Sequence, residues 1–218
     1  MLEAIETIQK QLSPKAKLIA VSKTKPIAML AEAYDLGLRI FGENKVQEMT
    51  EKYAALPKDI QWHFIGHLQS NKIKYMADYV TLIHGVDSLK LLQEIDKQAK
   101  KANRVIDCLL QIYIADEDTK FGFSQEEVIA LLQNNSIQLL SNICVKGLMG
   151  MASNTTDVEK IRTEFRGLHN FFQYLQSNFV AKNLQWQEIS MGMSNDYQIA
   201  LEEGSTMIRI GSAIFGSR

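Results

Sequence analysis

Short apolar runs rich in β-branched and aromatic residues recur along the whole chain and alternate with amphipathic stretches. Such an alternation predicts strands separated by helices. We assign eight strands, whose sequences are KLIAVSK from Lys17, RIFGEN from Arg39, WHFIGHL from Trp62, YVTLIHGV from Tyr79, IDCLLQIYI from Ile106, VKGLMGM from Val145, WQEISM from Trp186 and MIRIGSAIFG from Met207.

The stretches between these runs carry apolar residues at helical spacing. In SLKLLQEIDKQAKKA the residues that share one face are Leu89, Leu92, Ile95 and Ala99. In VEKIRTEFRGLHNFFQYLQSNF they are Ile161, Phe165, Leu168, Phe172, Leu175 and Phe179. These faces predict helices that pack on the strands.

Eight strand–helix units in 218 residues predict an α/β protein with a compact (β/α)8 or TIM barrel. The stretch LEAIETIQKQL predicts an extra helix before the first strand. A doubly wound open sheet is the alternative, but the regular alternation and the lack of a Gly-x-Gly-x-x-Gly turn after the first strand favour the barrel. No linker or shift in composition is visible, so residues 1–218 are expected to form a single domain.

Composition narrows the classes of function. A formal charge of −1 with 46% hydrophobic residues argues against a nucleic-acid or anionic-membrane binder, which needs clustered Lys and Arg. Cys108 and Cys144 lie in separate apolar runs, which indicates reduced, packed thiols. No leader or membrane-spanning segment is apparent, so a cytoplasmic protein is expected.

In a parallel barrel, functional residues lie where the strands end at their carboxyl side. Polar residues and glycines follow most of the predicted strands here. They include Lys23, Gly42, Glu43, Asn44, His63, Gly66, His67, Gln69, Asn71, Lys72, His84, Ser190, Gly192, Ser194, Asn195, Asp196, Arg209, Gly211 and Ser212. The sequence therefore predicts a polar site on one rim of the barrel.

The last two strand ends have the composition of a phosphate site. Glycines allow close approach of the backbone, and Ser194 and Ser212 supply hydroxyl donors. Ordinary loops have the same composition equally often. The amine of Lys23 favours the phosphate site over an ordinary loop, because an amine at a dry barrel mouth can attack the aldehyde of a phosphorylated ligand. Together these features suggest pyridoxal 5'-phosphate, with Arg209 as an unusual basic neighbour of the ring.

The motifs AVSKTKP, FGEN, WHFIGHLQSNK, GLMGM, SMGMSND and STMIRIGSAIFG together resemble those of the YggS/PROSC-type pyridoxal phosphate homeostasis proteins. The resemblance runs essentially from end to end. It implies the barrel found in the N-terminal domain of alanine racemase. It also implies a cofactor-binding protein without established catalytic activity, linked to the balance of pyridoxal phosphate and amino-acid pools.

The resemblance assigns roles to individual residues. Lys23 would hold the cofactor as a Schiff base, and Arg209 would face the pyridine nitrogen. Ser194, Gly211 and Ser212 would hold the phosphate. The ring would be lined by Asn44, Met191 and His63. No catalytic residue and no metal ligand is predicted.

Two other functions remain open from the sequence. The first is a slow racemase or lyase that uses pyridoxal phosphate on amino acids. It is disfavoured because no tyrosine or cysteine is evident for the second face of the ring. It is also disfavoured because the chain ends soon after the eighth strand, without the second domain of such enzymes. The second is a barrel that binds another phosphorylated metabolite, with Lys23 as a plain cation. A monomer is expected, and enzymes that need the cofactor are the expected partners.

Three features have competing interpretations. His63 and His67 are four residues apart, but a strand-to-loop segment makes a zinc site improbable. The methionines at 149, 151, 191 and 193 either fill the core or wall the cofactor ring. Lys25 is either solvated or a second amine that passes the aldehyde onward.

Overall fold

The computed structural model describes residues 1–115 and 121–216. All eight predicted strands are present. They are β1 (Lys17–Val21), β2 (Ile40–Glu43), β3 (Gln61–Phe64), β4 (Leu82–Val86), β5 (Ile106–Gln111), β6 (Ile143–Met149), β7 (Leu184–Ser190) and β8 (Met207–Ile210).

The strands form a closed parallel barrel in chain order, from β1 to β8. The last strand pairs with the first, with Arg209 opposite Ile19, and this pairing closes the sheet. The predicted (β/α)8 barrel is therefore confirmed. The alternative of a doubly wound open sheet is wrong, since such a sheet keeps two unpaired edges.

Helices follow most strands and cover the outside of the barrel. They are α1 (Leu2–Gln11), α2 (Ile27–Asp35), α3 (Val46–Ala55), α4 (Leu89–Lys101), α5 (Gln125–Gln133), α6 (Val158–Asn178), α7 (Tyr197–Glu202) and α8 (Ser212–Phe215). A 3-10 helix, Ser70–Tyr75, stands between β3 and β4. The expected extra helix is α1. No helix of the described residues is both long and apolar enough to cross a bilayer.

The predicted eighth strand is too long. β8 ends at Ile210, and α8 begins at Ser212 because the amides of Ile214 and Phe215 both donate to the carbonyl of Gly211. This early switch from strand to helix places Gly211 and Ser212 on the rim of the barrel.

Buried apolar residues form two layers. Five strand residues make up the smaller one: Ile19, Leu82, Leu109, Met149 and Met207. The larger layer joins the strands to the helices. It includes the predicted face of α6 and, from the predicted face of α4, Leu92, Ile95 and Ala99 but not Leu89. Both cysteines are free and buried, and burial raises the pKa of the Cys108 thiol well above its usual value.

β6 and β7 approach each other unusually closely at Gly147. Its φ is +153°, and a Cβ atom built there would lie 1.8 Å from the carbonyl oxygen of Glu188. The strand register shifts between Val145 and Gly147. Glycine is therefore required by contact with the neighbouring backbone.

Candidate functional site

A cavity of about 330 Å³ lies at the carboxyl-terminal rim of the barrel. It contains five of the eight predicted site residues: Lys23, Ser194, Arg209, Gly211 and Ser212. The other residues that line it are Val21, Thr24, Lys25, Ile65, Met151, Met193 and Gly216. The first strand and the last two thus contribute to one site, as the closed barrel requires.

Lys23 follows β1 in a tight turn. The amide of Lys25 donates to the carbonyl of Ser22 at 3.1 Å, and Thr24 between them has a φ of +65°. Within the described part of the chain, the Lys23 amine has neither a hydrogen bond nor an ion pair. A partly buried amine without a partner is available to a ligand in the cavity.

The Lys25 side chain, unlike that of Lys23, is held by hydrogen bonds to the backbone. Its Nζ atom donates to the carbonyl oxygens of Phe215 at 3.1 Å and Gly216 at 2.9 Å. The simple interpretation of Lys25 as a solvated side chain is therefore incomplete, because it ties the turn after β1 to the end of α8.

Arg209 is buried on β8 and is held by three hydrogen bonds. Nη1 donates to the carbonyl of Ser190 at 2.8 Å and to its Oγ at 2.6 Å, and Nη2 donates to the carbonyl of Gly150 at 3.1 Å. Burial lowers the pKa of Arg209 to about 10, with Asp196 acting in the opposite direction. The guanidinium therefore stays a donor at neutral pH and cannot accept a proton.

A chain of hydrogen bonds continues from Arg209 through the barrel interior. Ser190 Oγ is 2.9 Å from His84 Nδ1, and His84 Nε2 is 2.9 Å from His63 Nδ1. Arg209 donates to Ser190, so the serine hydroxyl is left to donate to His84, and His84 to donate to His63. If His84 Nδ1 donated to Ser190 Oγ instead, the hydroxyl hydrogen of Ser190 would have no acceptor among the described residues. The network thus assigns both imidazoles as neutral with the proton of His84 on Nε2.

Burial explains why both histidines stay neutral. Burial, together with the charge of the nearby Lys17, lowers the pKa of His63 from 6.5 to about 3. Burial, His63 and Arg209 all lower the pKa of His84. Below pH 6.5 the unfolded chain therefore binds protons that the folded chain excludes, so this contribution to stability is full above pH 6.5 and is lost as the pH falls toward 3.

We expect the free energy of unfolding to fall between pH 7.5 and 5.5, by up to about 1.4 kcal/mol per pH unit for each buried histidine. Urea titrations at both pH values measure this change. His63→Gln should make the dependence shallower, since glutamine does not titrate. The matched control is His67→Gln, because the His67 side chain is not buried: it is 68% exposed and contacts Asp87 at 3.2 Å. Equal dependence in the His63→Gln variant and wild type would contradict the assignment.

The residues predicted to hold the phosphate form a second wall of the cavity. Ser212 Oγ donates to Ser194 Oγ at 3.1 Å, so the two hydroxyls lie side by side. A Cβ atom at Gly211 would lie 3.1 Å from the carbonyl oxygen of Val21, which favours glycine where β8 meets β1. The loop that carries Ser194 is fixed by Asp196, whose Oδ1 accepts from the amide of Met193 at 2.6 Å.

Three predicted site residues lie away from the rim cavity. Asn44 lines a separate hollow of about 240 Å³ together with Lys45 and His67. His63 lines a cavity with Lys17 and Glu188. Lys17 opens β1, so this cavity lies at the opposite end of the barrel. The structure therefore does not place His63 beside Lys23.

Met191 is the third of these residues. It is fully buried in the layer between the strands and the helices. Met151 and Met193, each 42% exposed, line the cavity in its place. Met191 and Met193 are two positions apart, so the alternation of a strand predicts one side for both and carries no signal that separates them.

The zinc interpretation receives no support from the geometry. His63 contacts His84, whereas His67 contacts Asp87. Residues 1–115 and 121–216 contain no group of three His, Cys, Asp or Glu side chains arranged to hold a metal ion.

Comparison with known proteins defines the class to which this fold and site belong. A family model described as "Alanine racemase, N-terminal domain" matches residues 1–218. The chain belongs to this family.

Curated relatives are similar over nearly the whole chain. The "Pyridoxal phosphate homeostasis protein" of Aquifex aeolicus is 42% identical over 204 residues, which cover 93% of this chain and 87% of that protein. The protein of the same name from Synechocystis is 38% identical over 209 residues, covering 95% and 94%. The resemblance predicted from the sequence motifs is confirmed.

Solved structures extend the comparison. PipY of Synechococcus elongatus, solved without PLP, has a TM-score of 0.92 and 36% identity, and the match covers 99% of both chains. PipY with PLP bound has a TM-score of 0.88. Alanine racemase of Clostridium difficile is 13% identical with a TM-score of 0.73, and the match covers 56% of that enzyme, so it shows the shared fold alone.

Proposed function

We propose that this protein binds pyridoxal 5'-phosphate in the rim cavity and takes part in intracellular homeostasis of that cofactor, as a carrier or buffer. One observation carries the proposal: the unpartnered Lys23 amine, the paired hydroxyls of Ser194 and Ser212, and the Arg209 guanidinium share one cavity. The names of the curated relatives and the PLP-bound structure of PipY support it.

The residues present suit the cofactor. Lys23 would supply the amine that holds the aldehyde of the cofactor as a Schiff base, with loss of one water. Ser194 and Ser212, with the amides that begin after Gly211, supply donors for the phosphate. Bound pyridoxal phosphate supplies an electrophilic aldehyde and an electron-withdrawing ring.

Arg209 sets the chemical character of the site in this proposal. A guanidinium facing the ring nitrogen donates a hydrogen bond but does not deliver a full proton, so the ring is a weaker electron sink than it is beside a carboxylate. The described residues of the cavity wall include no tyrosine, cysteine, histidine or carboxylate. Both features support a carrier over a racemase or lyase, which needs an acid or base on each face of the ring.

The proposal extends to its setting. We place the protein in the cytoplasm as a monomer, in a single domain over residues 1–218, and we expect enzymes that require pyridoxal phosphate to receive the cofactor from it. No contact with nucleic acid or membranes is part of this proposal, because the formal charge is −1.

Borohydride reduction tests the proposal directly. Wild-type protein incubated with pyridoxal phosphate, reduced, digested and mapped by mass spectrometry should carry the label on Lys23. Lys23→Ala should carry none, because the amine is absent. Lys25→Ala is the matched control in the same turn and should keep the label on Lys23.

Three results would contradict the proposal. Unlabelled wild-type protein would remove cofactor binding on Lys23. A Lys23→Ala variant that binds pyridoxal phosphate as tightly as wild type would favour the alternative in which Lys23 is a plain cation for a phosphorylated metabolite. Loss of the α-hydrogen from any amino acid, measured by deuterium exchange and faster than with free cofactor, would favour the enzyme.

A further inference from the structure

A buried cluster of charged residues lies directly behind the turn that carries Lys23. It consists of Glu43 at the end of β2 and of Glu48 and Lys52, one turn apart on α3. The side chains of Glu43 and Lys52 are 0% and 4% exposed. Neither the sequence motifs nor the comparisons assign these three residues a role.

Lys52 uses all three of its donors. Its Nζ atom donates to Glu43 Oε1 and Glu48 Oε1, both at 2.7 Å, and to the carbonyl of Ser22 at 2.8 Å. Ser22 Oγ also donates to Glu43 Oε1, at 2.5 Å. Lys52 therefore joins β2 and α3 to the residue that precedes Lys23.

Glu48 contacts the other side of Lys23. Its Oε1 accepts a hydrogen bond from the amide of Thr24 at 2.5 Å. The carbonyl of Ser22 and the amide of Thr24 are thus both held by the cluster, and Lys23 lies between them. Both contacts are to backbone atoms, so they constrain the conformation of the turn itself.

The conformation of this turn is an uncommon one. The hydrogen bond from Lys25 to Ser22 and the φ of +65° at Thr24 are those of a type II turn, which prefers glycine or asparagine at that position. A β-branched residue with positive φ is strained. A type I turn would relieve the strain by rotating the central peptide through about 150–170°.

Glu48 opposes that rotation. In the type I arrangement, the carbonyl of Lys23 would replace the amide of Thr24 next to the carboxylate, and an acceptor would face an acceptor. The Glu48 carboxylate thus selects the peptide orientation that Thr24 by itself disfavours. The Glu48 carboxylate therefore keeps Thr24 in its strained backbone conformation.

The cluster is a poor device for stability alone. Glu43 Oε2 is buried without a hydrogen-bond partner in the described chain, and burial raises the pKa of Glu43 despite the contacts with Lys52 and Ser22. Two carboxylates share one ammonium. Buried ion pairs of this kind stabilise a fold less than apolar packing of the same volume.

We infer that Glu43, Glu48 and Lys52 are positioning residues that hold the Ser22–Lys25 turn in one conformation and so present Lys23 and Thr24 to the ligand in the rim cavity. This inference rests on the proposed function, since it requires Lys23 to bind the cofactor. The three residues act through the backbone of the turn and do not themselves line the cavity.

Glu48→Ala tests the inference at the most accessible member of the cluster, whose side chain is 21% exposed. Loss of a hydrogen bond to a charged acceptor should lower the affinity for pyridoxal phosphate about tenfold, measured by titration of the visible absorbance. Glu48→Gln keeps an oxygen acceptor for Thr24 and should stay within about threefold of wild type. Glu51→Ala, an exposed position on the same helix, is the control and should bind as wild type does.

A second substitution separates positioning from a general loss of structure. Asparagine tolerates positive φ, so Thr24→Asn should hold the turn with less help from the carboxylate. In the Thr24→Asn background, Glu48→Ala should lower affinity by less than about threefold instead of tenfold. Melting temperatures of all variants show whether binding and stability change together.

These outcomes separate a failure of the proposed function from a failure of the inference about Glu43, Glu48 and Lys52. Unlabelled Lys23 in wild type would overturn the proposed function. A labelled wild type whose Glu48→Ala variant binds as tightly would overturn the inference alone. So would an equal loss in the Thr24 and Thr24→Asn backgrounds, because the effect of Glu48 would then be independent of the turn.

Discussion

Replacing Arg209 by methionine should lower the free energy of unfolding by about 3 kcal/mol, because it removes the side-chain donor of the Gly150 carbonyl and one of the two donors of the Ser190 carbonyl, which keeps the amide of Gly150. The hydrogen bond to Ser190 Oγ is lost as well, so the chain to His84 loses its fixed direction. Affinity for pyridoxal phosphate should fall at least about tenfold. Urea unfolding and absorbance titration measure the two effects separately.

Arg209→Lys provides the graded comparison. Lysine keeps the positive charge but has one nitrogen, so it cannot reach Ser190 and Gly150 with the spacing of a guanidinium. We expect its stability to lie between wild type and the methionine variant. A methionine variant as stable as wild type would show that the three hydrogen bonds contribute nothing to the fold.

Gly147→Ala should be still more damaging, with a loss above about 4 kcal/mol or no folded protein at all. The added methyl group would lie 1.8 Å from the Glu188 carbonyl oxygen, and a backbone atom cannot move aside unless β6 parts from β7. Expression level and the urea midpoint measure the effect.

Gly167→Ala is the matched control for that substitution. Gly167 lies within α6, and a Cβ atom there would have no neighbour within 4 Å. Alanine in a helix is more stable than glycine by about 0.5–1 kcal/mol, so this variant should gain stability. If both alanine variants behaved alike, the close approach of β6 and β7 would not be what demands glycine at 147.

The fold was predictable because its signals are local and repeated. Each strand has its own apolar run, and parallel strands joined by helices close into a barrel when eight units follow in order. What the sequence did not reveal is where individual runs stop. In MIRIGSAIFG the apolar pattern continues through a change from strand to helix, since β8 buries Ile208 and Ile210 and α8 buries Ile214 and Phe215.

The rim residues were predictable for the same geometric reason: the ends of parallel strands converge. Lys23, Ser194, Gly211 and Ser212 each follow a strand closely. Arg209 lies within β8 and faces the cavity. The resemblance assigned His63 to the ring, whereas the structure places its imidazole inside the barrel, against His84 and in the cavity at the opposite end.

Lys52 illustrates a contact that sequence reasoning passes over. A lysine on an amphipathic helix is ordinarily solvated. Here it follows Met49 by three positions and so falls on the buried face of α3, which was the available signal. Two of its partners, Ser22 and Glu43, come from the ends of β1 and β2, and the pairing of these two strands brings them together.

The pairing of β1 with β8 has a consequence for biosynthesis. Lys23 leaves the ribosome well before Gly211 and Ser212, which stand more than 180 residues later in the chain. A nascent chain that has not reached β8 therefore holds the Lys23 amine but lacks the opposite wall of the cavity. The complete cavity forms only when β8 has been made and has paired with β1.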